Sequence, residues 1–145
     1  YMELSNIKQM ASKDMPIDGT ELDIESLKIP QLHNKYLNMF HDEKLVLCKT
    51  ETDYKSLLRT KWEYYTGKLD QEQLNYYGWD VFPFKILKND IQLYLDADDD
   101  LIKLKGKMQY QKEKVSYLES ILKSINNRQW SIRGAIDWRK FISGV

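Results

Sequence analysis

Apolar and aromatic side chains recur at every third or fourth position along most of this chain. Between Pro30 and Thr66 the series Leu37, Phe40, Leu47, Tyr54, Leu58, Trp62, Tyr65 keeps that spacing, with Lys44 and Glu51 filling two gaps. This period marks one face of a helix. No Gly or Pro interrupts the stretch after Pro30, and Gly67 stands just past its end. Proline suits a first helical turn, where its missing N–H costs nothing, and glycine suits the position after a last turn. The pattern predicts a helical rod from Pro30 to Thr66, about 55 Å long. Its mixed seam suits a partner-facing surface better than a dry core.

The same spacing predicts a short helix over Glu3–Lys13, with Leu4, Ile7 and Met10 or Ala11 on one face. The cluster Asp14–Thr20, DMPIDGT, reads as a loop. Leu22, Ile24 and Leu27 then read as an irregular docking segment leading to Pro30. Asp70 is placed to cap a short turn containing Glu72 and Leu74. Tyr76, Tyr77, Trp79, Phe82 and Phe84 form an aromatic loop broken by Gly78 and Pro83. Leu87, Ile91 and Leu95 put a helix at Lys85–Leu95, with a short strand as the alternative. Leu101–Phe141 reads as one or two helices, with Gly106, Asn126 and Asn127 as possible breaks. There Val115, Leu118, Leu122, Ile125, Gln129, Ile132 and Ile136 keep a heptad seam with one polar slot. Packing against the rod and self-association are both open to that seam. The expected fold is all-α: two long helices, shorter helices, an aromatic loop and coiled-coil-like seams. Four segments follow: an acidic helix and arm over 1–29, the long helix over 30–68, an acidic aromatic loop and short helix over 69–100, and a C-terminal helical region over 101–145.

Charge changes this picture. The 145 residues balance to a net charge of +0, yet the charge is segregated. Residues 1–43 carry −4, 44–68 carry +3, 69–100 carry −6 and 101–145 carry +7. Such alternation suits subunits meeting acid to base, or a basic surface for polyanions beside an acidic one for proteins. No apolar run approaches the ~20 residues that span a bilayer, and YMELSNIKQM lacks the pattern of a signal peptide. The single Cys48 excludes an intramolecular disulfide and suits a reducing cytosol. Beside Leu47, it is expected to be a buried, inert thiol.

The candidate chemistry is concentrated at the end of the rod, KSLLRTKWEYYTGK. Leu58, Trp62 and Tyr65 fall on one stripe, with Lys55 and Arg59 on one side and Lys61 and Lys68 on the other. Aromatic faces bordered by cations suit single-stranded nucleic acid, whose bases stack while its phosphates meet Lys and Arg. An ordinary amphipathic helix with aromatics in the core has the same pattern. The aromatic loop likewise reads as a core plug or as a second stacking surface. Asp96, Asp98 and Asp100 match the first ligands of a calcium loop, but Leu101 and Lys107 stand where Gly and Glu are needed. Those aspartates are expected to cap the next helix instead. His33 and His41 are eight residues apart, no phosphate-binding glycine loop occurs, and one Cys builds no zinc site. No catalytic residue, metal or cofactor is therefore assigned, and the chain is not expected to be an enzyme.

LLRTKWEYYTGK resembles the basic–x–basic–aromatic–YYSG segment of the UvsY family of phage recombination mediators. The resemblance extends through IPQLHNKYLN, YLDADDDLIKL and VSYLESILKSINNRQWSIRGAIDWRKF to nearly the whole chain, and is greatest to members from marine cyanobacterial phages. It implies a homo-oligomeric protein, a ring-like heptamer, that binds single-stranded DNA in the cytoplasm of an infected bacterium. It also implies help to a RecA-like recombinase, UvsX, in displacing a phage single-strand-binding protein. The family's two DNA-contacting basic residues align with Arg59 and Lys61, here with Arg first. Lys55 and Lys68 are expected to add charge, and Trp62, Tyr64 and Tyr65 to stack on bases or brace the cations. The C-terminal region is implied to drive oligomerisation, through Val115, Leu118, Leu122, Ile125, Ile132 and Ile136. Arg59 and Lys61 point about 160° apart on one helix, so a ring of copies offers them a shared DNA path. The alternative function is a structural helical assembly or adaptor that binds no nucleic acid.

Overall fold

The computed structural model describes residues 2–144. It contains helices α1 (Leu4–Asp14), α2 (Leu22–Tyr65), α3 (Gln71–Tyr77), α4 (Ile91–Asp96) and α5 (Asp99–Ser143), with a 3-10 turn at Lys88–Asp90. There is no strand among the described residues. The all-α expectation holds. The chain divides into two compact units: everything to Leu45 together with everything from Glu113, and Val46–Lys112. Each long helix contributes to both.

The first unit packs α1 against α2 and the later part of α5. Ile7 and Ala11 of α1, Tyr36 of α2, and Leu118, Ile121, Leu122 and Ile125 of α5 form its core. The heptad seam of α5 is thus occupied within one chain. Val115 and Ile132 are buried as well, and Ile136 is half-buried. Asn126 and Asn127 do not break α5, because buried Ile125, Arg128 and Ile132 hold both sides of them. Tertiary packing outweighs their weak helix propensity. Gly106 also lies inside the continuous helix.

The start of α2 differs from expectation. It begins at Leu22, and Pro30 lies in its interior rather than in its first turn. Proline supplies no N–H, so the Ser26 carbonyl lacks its usual helical donor. Burial of Leu22 and Glu25 on the first two turns compensates. Arg128 of α5 donates to Glu25 at 2.6 Å and to the carbonyls of Met15 at 2.6 Å and Pro16 at 3.2 Å. The same guanidinium therefore anchors the loop and the helix that follows it. Asp14 accepts from Tyr36 at 2.8 Å and from Lys35 at 2.5 Å, tying the end of α1 to α2. Cys48 is exposed, not buried: it lies on the opposite side of α2 from the packed face.

The second unit is smaller. Ile91, Leu95 and Leu101 form its core, with Tyr54, Leu57, Leu58, Tyr65 and Ile86 packed around them. Asp70 caps α3 with a full capping box: Gln73 N–H donates to its carboxylate at 2.8 Å, and Gln73 accepts from the Asp70 N–H at 3.0 Å. Gly78 closes α3 in the left-handed region, φ 72°. The segment Lys85–Leu95 is an extended lead, one 3-10 turn and a short helix.

Candidate nucleic-acid interface

The last three turns of α2 present opposite chemistry on opposite sides. On the inward side, Lys61 is 5% exposed. Its ammonium lies 3.1 Å from Asp98 and 2.8 Å from Asp100, and 4.0 Å from the centre of the Trp79 ring. Tyr65 donates to Asp98 at 2.6 Å. Asp98 also caps α5 by accepting from the Leu101 N–H at 3.0 Å. Burial alone would raise the Asp98 carboxyl, but hydrogen bonds from Tyr65, Leu101 and Lys61 outweigh it and hold it below the usual range. Burial and the bond to Asp98 push the Tyr65 phenol well above its ordinary value. Asp96 accepts from Gln92 at 2.7 Å. The aspartate run is thus a capping and ion-pairing device.

Part of the aromatic loop packs inward and part lies at the surface. Trp79 and Phe82 pack on Tyr64, and Phe82 on Tyr65 and Tyr94, with ring centres 5.0–5.8 Å apart. Tyr64 also donates to the Asp80 carbonyl at 2.7 Å. Of these rings, Trp79 and Tyr64 lie against the Lys61 ammonium. Tyr76 and Phe84 face outward.

On the outward side, the Arg59 side chain is 83% exposed and meets Glu63 at 3.2 Å. Trp62 is 39% exposed, with the Lys68 ammonium 4.1 Å from its ring centre. Lys55 is exposed one turn before Arg59. Lys55, Arg59 and Trp62 form one wall of a groove of about 920 Å³. Its opposite wall is Leu101, Ile102, Lys105, Gly106 and Gln109 of α5, and Gln92, Leu95 and Asp96 of α4 close one side.

The structure brings Lys55, Arg59, Trp62 and Lys68 onto one outer surface. Lys61 faces inward between two carboxylates, away from Arg59. The 160° between the two side chains is the reason: when one faces solvent, the other faces the core. Tyr64 and Tyr65 brace the unit and do not stand free for stacking. Val115, Leu118, Leu122, Ile125 and Ile132 are buried inside one chain. The exposed apolar residues of α5 are Trp130, Trp138, Phe141 and Ile142. Sequence reasoning missed Lys105, Gly106 and Gln109 as groove residues. The only signal for them was the basic charge that begins after Leu101.

Fold and surface define an all-helical protein whose second unit carries an open groove edged by cations and a tryptophan. Comparison with known proteins supplies the family. Residues 10–145 match the family described as "Recombination, repair and ssDNA binding protein UvsY", and the chain belongs to that family. It is 26% identical over 143 residues to the recombination protein uvsY of Enterobacteria phage T4, covering 99% of each chain. Two crystal structures of the bacteriophage T4 recombination mediator protein UvsY are similar to it at 25% identity. One, lattice type II, has a TM-score of 0.86 over 99% of each chain. The other, lattice type IV, has 0.85 over 97% of this chain and 99% of that one. No described helix is long and apolar enough to cross a membrane.

Proposed function

We propose that this protein is a non-enzymatic recombination mediator that binds single-stranded DNA. The observation that carries the reading is the outer surface of the second unit, where Arg59, Lys55 and the Lys68–Trp62 pair lie together and open to solvent. Cations at this spacing meet phosphates, and an exposed indole offers a face to a base. Lys61 serves this surface as a strut that fixes the end of α2. By holding DNA in an open conformation, the protein shifts the equilibrium against a phage single-strand-binding protein and toward filaments of a RecA-like recombinase, UvsX. Its place of action is the cytoplasm of the infected bacterial host.

Self-association belongs to the same reading. One groove offers few cations, and a ring of copies, a heptamer, multiplies them along one strand. The exposed Trp138, Phe141 and Ile142 support an interface at the end of α5, since clustered apolar side chains in water mark association surfaces. The test is a fluorescence anisotropy titration with a single-stranded oligonucleotide over a range of salt. Arg59→Ala with Lys55→Ala is expected to weaken binding and flatten the salt dependence by about two. An unchanged slope removes these residues from the interface. No binding at low salt removes the function and leaves the adaptor reading.

A further inference from the structure

Gly106 is a glycine without a reason inside the chain. It lies in the interior of α5 with no positive φ, and a Cβ built on it would meet nothing within 4 Å. Neither backbone conformation nor packing requires it, and a mid-helix glycine disfavours the helix relative to alanine. Without a side chain there, the backbone of α5 leaves room for close approach of something from outside. Gly106 lines the groove described above, across from Trp62. The apolar Leu95 and Leu101 line it as well.

The charge of the groove points to an anion. Lys55 and Arg59 stand on one wall and Lys105 on the other, against the single carboxylate of Asp96, which already accepts from Gln92. An apolar lining with cations contributed from α2 and from α5 suits a ligand that is flat and apolar in the middle and anionic at its edge. Its volume, about 920 Å³, is that of a small-molecule pocket.

We propose that this groove is a nucleobase subsite for single-stranded nucleic acid: one base slides over Gly106 against Trp62, while flanking phosphates meet Lys55 and Arg59 on one rim and Lys105 on the other. The inference rests on the single-stranded DNA reading and deepens it. It makes α5, as well as α2, part of the binding surface. The protein then senses bases as well as charge, which favours strands with splayed bases over duplex. Because stacking accepts any base, the subsite carries little sequence preference.

The test compares two labelled strands of equal length and charge, an oligothymidylate and a fully abasic strand, by anisotropy with the full chain. The wild-type protein is expected to bind the oligothymidylate at least about fivefold tighter, the effect of one stacked base. Gly106→Leu fills open space, so helicity and melting should persist. It is expected to abolish that preference while retaining binding of the abasic strand. Lys105→Gln, at an exposed position, is expected to weaken both strands and lower the salt slope by about one. If Gly106→Leu does not fold, Lys105→Gln decides, and an unchanged slope overturns the proposal. Equal wild-type affinity for both strands also overturns it, as does a Gly106→Leu protein that keeps the full preference. A polyglutamate peptide whose binding Gly106→Leu abolishes, with the base preference intact, would assign the groove to an acidic protein segment instead. Wild-type protein that binds neither strand fails differently: it removes the DNA reading itself and the subsite with it.

Discussion

Lys61 and Asp98 form a buried ion pair, Nζ to Oδ2 3.1 Å, with side chains 7% and 4% exposed. The pair joins the end of α2 to the cap of α5, since Asp98 also accepts from the Leu101 N–H. Two residues earlier on α2, Arg59 is turned to solvent and meets Glu63. Two neighbouring cations of one motif thus have separate physical jobs.

Removing Lys61 leaves Asp98 buried without its cation, and breaking a buried pair from one side typically costs about 3–5 kcal/mol. Lys61→Ala is therefore expected to lower the urea midpoint sharply and to weaken DNA binding only as far as it unfolds the second unit. Arg59→Ala should change stability by less than about 1 kcal/mol, because exposed pairs contribute little. Denaturation followed by circular dichroism, beside anisotropy on the same samples, separates the two. A Lys61→Ala protein of normal stability with lost binding would return Lys61 to the interface.

Acid and alkali should each loosen the second unit. The native Asp98 carboxyl lies below its ordinary 3.8, so it adds stability above that value, and this is lost as pH falls through the lowered value. The native Tyr65 phenol lies above its ordinary 10.0, so its contribution is whole below pH 10 and is lost as pH rises further. Asp98→Asn is expected to flatten the acid limb and Tyr65→Phe the alkaline limb of stability against pH. Each removes only part of the slope, because Asp14 and Tyr36 in the first unit are shifted in the same directions. Limbs identical to wild type would show that these groups do not couple to folding.

Arg128 gathers the loop after α1 and the first turns of α2 onto α5. Arg128→Ala takes this donor from the carbonyls of Met15 and Pro16 and leaves the Glu25 carboxylate with Lys28 as its partner. Residues 15–21 should then be cleaved faster in limited proteolysis, and overall stability should fall by about 3 kcal/mol or more. Arg128→Lys should not restore it, since a point charge does not span three acceptors as a guanidinium does. Unchanged proteolysis at that loop would refute the anchoring role.

The seam and the end of α5 should respond differently to substitution. Leu118→Ala, in the core of the first unit, is expected to cost about 2–5 kcal/mol. Trp138→Asp with Phe141→Asp, at exposed and mutually stacked rings, should leave the helical signal intact and lower the assembly mass in sedimentation. If the mass is unchanged, the interface lies elsewhere on the chain.

Helical periodicity was legible wherever the apolar face was regular. It located α1, most of α2, the cap at Asp70 and the single seam of α5. The basic and aromatic surface at the end of α2 was legible too, because cations and rings cluster there within one helical segment. The interior position of Pro30 was not, because local rules put proline at a helix start and only burial of Leu22 and Glu25 extends α2 backward. The exposure of Cys48 was missed because adjacency to Leu47 says nothing about which side of the helix is covered.

Local spacing along one chain determined the all-helical fold, the 160° between Arg59 and Lys61, and the mixture of charge and rings at the end of α2. Tertiary structure alone decided which of those two cations meets water. It also turned the α5 seam inward and brought Lys105 and Gly106 across from Trp62. The reason is that periodicity defines faces, whereas exposure depends on the partner brought from elsewhere in the chain. Here that partner is Asp98, 37 residues after Lys61, which holds its ammonium on the inner side.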